Sequence, residues 1–458
     1  MSIYGALRSG VSGLFVQSQA LGMISDNIAN VNTVGYKTAN ARFATLVTNA
    51  SSRNFYSPGG VSSTVGRDID RQGLLQASSA STDLGISGSG FFAVTDQVSF
   101  NTTTGRYEPS GNIYFTRAGQ FRPDEQGNLV NSAGYFLLGY PPNATGTAFQ
   151  VTNVLTNLNA VNVAASSSPP IATTEGSVSA NLNTTAATGD TYTISLQIFD
   201  RQGTTKTVGL TFTKVDPAVS PNTWDISATL TGGGQFWDGA ALAGTTVANM
   251  GSVTFNADGT LGNYSASNSA AVASTVGADP NGATGSQVLR FTLDHDATVG
   301  TTADQVTLDL TFGTVANSDG LTQFDSPSVV NTVSQNGKQS GSLSAVTSNE
   351  EGVITALFDN GEQRELYQVP VITFNNPNGL QPRTGNVYLQ TDQSGNPVAK
   401  ISGTGGAGLV APSALEASTT DIADEFTNLI ITQRAYSANT RIITTADELL
   451  DELIRIKR

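Results

Sequence analysis

The chain has 458 residues, of which 38% are hydrophobic and only 13% charged, with 48 glycines and a formal net charge of −14. That length accommodates several domains, and low charge with abundant Gly, Thr, Ser and Asn points to β-rich domains joined by tight turns, not to a helical enzyme or a disordered chain. The acidic balance disfavours nucleic acid and anionic membrane as partners, the absence of cysteine removes disulfides and thiolate chemistry, and a single histidine, His295, leaves almost no imidazole metal chemistry.

The first predicted element is a helix over Ile3–Ile28. Leu7, Leu14, Leu21 and Ile28 recur every seventh residue, which places them on one slowly drifting helical face. At 1.5 Å per residue it spans about 40 Å. Gly5, Gly10, Gly13 and Gly22 each cost such a helix about 1 kcal/mol relative to alanine. A glycine-rich, weakly charged, apolar-striped helix suits close packing among many copies of itself, so the chain ends are expected to order when neighbouring subunits supply the missing surface. The same N-terminus lacks a basic start and a compact apolar block, so no cleaved signal peptide is expected. No run approaches the roughly 18 apolar residues of a membrane helix, and no membrane insertion is expected.

Asn27, Asn30, Asn32 and Gly35 form a turn-prone cluster that ends the helix. Residues 31–71 show weak periodicity and read as an extended connecting segment. Residues 72–144 are β-like, with apolar runs at Phe91–Val94, Tyr114–Phe121 and Leu129–Tyr140. After Pro141 and Pro142 the composition shifts to Ala, Thr, Asn and Ser, and an inserted outer β domain is expected over 145–326. There Tyr192, Ile194, Leu196 and Ile198 alternate toward a turn at Asp200–Gly203, and Val208, Leu210 and Phe212 alternate back, the pattern of a hairpin. Residues 327–411 are expected to return to 72–144 as one discontinuous β domain.

A second helix is expected over Thr420–Ile456, within a terminal helical assembly domain 412–458, with Ile422, Leu429, Tyr436, Ile443 and Leu450 again at sevenfold spacing. Together with Leu7, Leu14, Leu21 and Ile28 these residues are the candidate assembly interface. The fold class is therefore mainly β, with the two terminal helices pairing as a coiled coil around a nested set of domains.

Signals of chemistry are weak. Gly403-Thr404-Gly405-Gly406-Ala407-Gly408 fits the spacing of a dinucleotide loop, yet Leu409–Pro412 reads as extended chain where that loop needs a helix. Asn256–Gly259 has part of a calcium loop and lacks its remaining ligands. Asp294, His295 and Asp296 read as solvated groups at a strand end, and Asp447, Glu448, Asp451 and Glu452 as a solvated helix face. No catalytic, metal or cofactor site is assigned, and no small-molecule substrate is expected.

Asp26-Asn27-Ile28-Ala29-Asn30-Val31-Asn32-Thr33-Val34-Gly35-Tyr36-Lys37 resembles the N-terminal signature of the bacterial flagellar rod and hook axial proteins. Ile86–Phe92, Phe115–Phe121 and Gly127–Tyr140 are similar to later landmarks, as are Ala414–Ser418 and the segment from Gln433-Arg434-Ala435-Tyr436 to Asn439. Leu321–Phe324, Asn336–Gly341 and Phe374–Leu380 look like landmarks of the hook branch; the shorter distal rod proteins are the alternative. The resemblance makes Asn27, Asn30, Asn32, Gly35 and Lys37 signature residues. It implies a structural, non-enzymatic subunit that polymerises into a curved tube outside the cell, a universal joint carrying motor torque to the filament. It also implies rod, hook-cap, hook–filament junction and flagellar type III export proteins as partners. Phe43-Ala44-Thr45-Leu46-Val47 looks like the export gate motif of such subunits, with Phe43 and Val47 as its ends; a structural anchor reads equally well.

Overall fold

A computed structural model describes residues 3–46, 59–143, 148–149, 151–164, 167–237, 242–266, 275–277, 285–294 and 305–456. Two compact units are present: residues 1–165, 344–357 and 363–458 form the first, and residues 166–343 with 358–362 the second.

The first unit contains both helices, α1 (Ile3–Ala29) and α2 (Ile422–Ile456). They run antiparallel, Gly10 and Gly13 of α1 lying against Ile443 and Asn439 of α2, and Asn27 reaching Glu425. Asp421 caps α2, its Oδ1 accepting from the backbone N–H of Ala423 at 2.8 Å, and Asp424 and Glu425 place negative charge in the first turn, where the helix dipole favours it.

Residues 31–71 carry more structure than an extended connection. Ala39–Thr45 pairs antiparallel with Val61–Arg67, in register Ala39↔Arg67 to Thr45↔Val61. Much of this ribbon is exposed and polar, so the two-residue apolar alternation that betrays a half-buried strand is diluted.

The body of the unit is an antiparallel sheet ordered Gln381–Arg383, Val387–Leu389, Ile113–Thr116, Phe92–Thr95, Phe136–Gly139, Leu129–Asn131, Phe121–Pro123, with Asn159–Ala160 added to Phe136–Gly139. Both faces are covered around Phe92–Thr95. Phe91 and Ala93 join Phe115, Leu138 and Tyr388 on one side; Phe92 and Val94 join Phe121, Leu137 and Val371 on the other. Early and late segments interlock at the margins: Leu75–Ala77 pairs with Ala414–Glu416, and Leu84–Ser87 with Leu409–Pro412.

The second unit packs two sheets around one core. Thr191–Phe199, Thr205–Lys214, Thr223–Thr231, Thr246–Phe255 and Leu261–Ala266 make a five-stranded antiparallel sheet in that order. Ile194 faces Leu210 across the predicted hairpin, and Asp200 ties its turn by accepting from Thr204 N–H at 2.7 Å. The other sheet includes Ser286–Asp294, Gln305–Thr314 and Glu175–Asn181, the last running parallel to Gln305–Thr314. Leu196, Leu210, Phe212, Trp224, Phe291, Leu310 and Phe312 fill the space between.

Two boundaries differ from the sequence-based expectation of an insertion at 145–326. Asn159–Ala160, Val161 and Val163 complete the first unit, their brief apolar signal hidden in an Ala/Ser/Asn-rich stretch. Val329–Gln335 belongs to the second unit because it pairs with Glu175–Asn181, a contact between residues far apart in sequence that local composition does not report.

Candidate assembly site

The asparagine-rich segment at the end of α1 is the tie point of the first unit. Asn27, fully buried, uses its amide in four directions. Its Nδ2 donates to Ala39 O and to Glu425 Oε1, both at 2.9 Å. Its Oδ1 accepts from Ala39 N–H at 3.0 Å and from the Tyr36 hydroxyl at 3.1 Å. One side chain thus joins α1, the ribbon and the start of α2. Burial pushes the Glu425 carboxyl above its ordinary range, the Asn27 hydrogen bond opposing and Asp424 reinforcing that rise.

Asn30 bonds locally: its Nδ2 donates to Asp26 O at 2.9 Å, and its Oδ1 accepts from the Thr33 hydroxyl at 3.0 Å. Asn32 is exposed. Gly35 adopts φ +66° and lies against the backbone of Arg117, where an added Cβ would stand 2.7 Å from the Arg117 carbonyl carbon. Only glycine combines that left-handed conformation with such an approach. Its N–H donates to Glu416 O at 2.7 Å.

Beneath the loop lies a buried charge cluster. Lys37 Nζ donates to Glu416 Oε1 at 2.6 Å and to Arg71 O, while Arg117 Nη1 donates to Glu416 Oε2 at 3.0 Å. The three side chains are 1%, 0% and 1% exposed for Lys37, Glu416 and Arg117. Gly73 N–H supplies a further donor to Glu416 at 2.7 Å, and Arg117 Nη2 donates to Gly88 O at 2.7 Å. Burial lowers the Lys37 pKa from its usual value, and the neighbouring Glu416 carboxylate pulls it back up. Two cations around one anion, all desolvated, persist only while every partner stays in place. The cluster therefore locks the signature loop to the segment leading into α2. Arg117 and Glu416 were legible only as members of resembling motifs; nothing local in the sequence marks them as partners.

The candidate interface residues divide by position. Leu7, Leu14, Leu21 and Ile28 are half-buried, as are Leu429, Ile443 and Leu450, whereas Ile422 and Tyr436 are exposed. The most buried line of α1 runs instead through Gly10, Gly13, Val16, Ala20, Ile24 and Asn27. Small residues admit the second helix most closely, so the leucines flank the contact. A Cβ on Gly13 would come within 2.8 Å of the Asn439 amide, and one on Gly10 within 3.2 Å of Ile443 Cγ1. The outward faces stay apolar: Tyr4, Val11 and Phe15 on α1, and Phe426, Ile430, Ile431, Ile442 and Leu449 on α2, with Phe15 63% and Ile431 60% exposed. Phe43 is exposed on the ribbon, and Val47 lies outside the described residues.

The glycine run at 403–408 folds back on itself, Gly403 N–H donating to Gly408 O at 3.0 Å, and a strand, Leu409–Pro412, follows it. Asn256–Gly259 is a turn between two paired strands. His295 lies outside the described residues.

Four family models match successive parts of the chain. "Flagella basal body rod protein" covers 7–37 and "Flagellar hook protein FlgE/F/G D1 domain" 85–180. "Flagellar basal body protein FlaE D2 domain" covers 171–338 and "Flagellar basal body rod FlgEFG protein C-terminal" 411–456. The flagellar hook protein FlgE of Rhizobium meliloti is 32% identical over 458 residues, with all of both chains covered. The chain belongs to the flagellar hook protein family. Hook proteins FlgE of Brucella suis and Escherichia coli are 33% and 27% identical, covering 100% and 99% of this chain and all of their own. A crystal structure of Helicobacter pylori flagellar hook protein FlgE2 aligns over 75% of the chain and all of its own, with 15% identity and a TM-score of 0.44. The signature loop that buries Lys37 falls within the rod-protein match, and Glu416 within the C-terminal match, so the cluster joins the two terminal segments of the family.

Proposed function

We propose that this chain is the structural subunit of the bacterial flagellar hook, a non-enzymatic protein that polymerises into a curved, flexible tube. The observation that carries the reading is full-length likeness to hook proteins, central unit included, beside a terminal helix pair whose outer faces remain apolar. Exposed apolar stripes of this size on a chain with so little surface charge mark a protein–protein contact. Repetition of a contact that does not close into a ring generates an open tube. In that tube Leu7, Leu14, Leu21, Ile28, Ile422, Leu429, Tyr436, Ile443 and Leu450 border the packing between copies. The asparagine signature and the Lys37–Glu416–Arg117 cluster fix the angle at which the helix pair leaves the β body.

The subunit works outside the cell, attached to the basal body, after passage through the flagellar type III route without signal cleavage. Rod, hook-cap and junction proteins meet the two ends of its polymer. Phe43 sits on an exposed ribbon, an arrangement suited to recognition before assembly. A distal rod protein would share the terminal segments; the central β unit and the full-length relatives favour the hook.

The experiment is polymerisation of the purified full chain, imaged by electron microscopy, beside chains lacking residues 1–30 or 415–458. The full chain is expected to give curved tubes and the truncated chains none. Straight rods from the full chain, or tubes from either truncation, would overturn this reading.

A further inference from the structure

A cavity of about 520 Å³ opens beneath the signature loop, bordered by Arg67, Asn131, Arg383 and Asn386 among others. No aspartate or glutamate lines it, in a chain with 36 acidic and 22 basic residues. Neither Arg67 nor Arg383 joins an ion pair among the described residues; Arg383 donates only to Gln381 Oε1, at 3.3 Å. Asn131 is 6% exposed, and its Oδ1 is taken by the N–H groups of Ala133 and Tyr135 at 3.0 and 2.9 Å. Its Nδ2 has no acceptor. Two guanidinium groups and an unsatisfied buried amide donor make a site short of an anion.

The chain carries a matching anion on the same unit. Asp447, Glu448, Asp451 and Glu452 are exposed on α2, and none joins an ion pair among the described residues. Spaced four apart, Asp447/Asp451 and Glu448/Glu452 repel along the helix. Within one molecule they do not reach the cavity. The antiparallel pairing sets Glu425 beside Asn27, at the cavity end of α1, and places residue 449 about 35 Å farther along α2. We propose that the cavity lined by Arg67, Arg383 and Asn131 receives the acidic end of α2, residues 447–452, from a second copy of this chain. The contact rests on the hook reading, and it adds a charge-based register to helix packing that apolar stripes alone would let slide.

The absence of cysteine makes the test direct. Full-length Ser132→Cys and Asp451→Cys chains are mixed, polymerised and oxidised, and the cross-linked peptides identified by mass spectrometry. A disulfide joining position 132 of one copy to position 451 of another is expected in the polymer and not in dilute monomer. Arg383→Glu, at an exposed position, is expected to slow polymer growth about tenfold or more, and combining it with Asp447→Lys and Asp451→Lys to restore most of the rate. Arg67→Glu is made in parallel, with circular dichroism confirming the fold. Normal tubes with no such cross-link and no effect of Arg383→Glu overturn the proposal and leave the hook reading standing. No polymer from the unaltered chain overturns both.

Discussion

Three glycines of α1, Gly10, Gly13 and Gly22, should respond differently to alanine, depending on what each faces. Gly22 is exposed and has nothing within 4 Å of a built Cβ, so Gly22→Ala should gain the full helix-propensity term, about 1 kcal/mol. Gly13→Ala gains the same term but drives its methyl to 2.8 Å from the Asn439 amide, a crowding that costs roughly 1–3 kcal/mol. Gly10→Ala is intermediate, with Ile443 Cγ1 at 3.2 Å. The difference between the Gly22 and Gly13 variants is therefore about 1–3 kcal/mol, which is roughly 5- to 150-fold in the opening equilibrium of α1. Amide hydrogen exchange along α1 in the dilute full-length chain reads it: slower exchange for Gly22→Ala, faster for Gly13→Ala. Asn439→Ala should remove most of the penalty in the Gly13→Ala background, because it removes the group struck. If Gly13→Ala slows exchange as much as Gly22→Ala, the Asn439 amide does not hold its place against Gly13, and this contact between α1 and α2 is refuted.

Glu416→Ala should lower unfolding stability by about 3–5 kcal/mol in urea denaturation, since it strands two buried cations and the Gly73 N–H; an unchanged midpoint would contradict the cluster's role. Gly35→Ala should cost more than about 2 kcal/mol in the same assay, from a left-handed φ and a clash with Arg117 backbone together. The Glu425 carboxyl binds its proton more tightly in the folded chain than its ordinary value of 4.5 implies, so its own contribution to stability should rise as pH falls from the raised value toward 4.5. Comparison of thermal melts of Glu425→Gln and the unaltered chain across that window checks the sign: the unaltered chain should gain on the variant as pH drops. Removing residues 166–343 should leave polymers that form but differ in curvature or stiffness by electron microscopy; loss of all assembly would place an assembly contact in the second unit.

The elements that repeat were legible in the chain. Sevenfold spacing located α1 and α2 to within a few residues, and alternation at Ile194–Ile198 and Val208–Phe212 located a hairpin whose register places Ile194 opposite Leu210. What was hidden depends on partners far apart in sequence. Lys37 and Glu416 are 379 residues apart, and no periodicity announces a salt bridge at that distance. Hydrophobicity nominates the leucines as a face between copies, whereas the approach of α1 to α2 within one chain runs along Gly10 and Gly13, which carry no apolar signal. The paired strands Ala39–Thr45 and Val61–Arg67 are not marked in the sequence because a strand with two wet faces has no apolar alternation to show.

Assembly in this reading depends on terminal helices whose apolar outer faces are buried when copies stack. Hydrogen exchange mass spectrometry of the same full chain, as dilute monomer and as polymer, measures that burial residue by residue. Exchange should slow at least about 100-fold along α1 and α2 on polymerisation and change little in the core strands of the second unit. Helices that exchange equally in both states would contradict it.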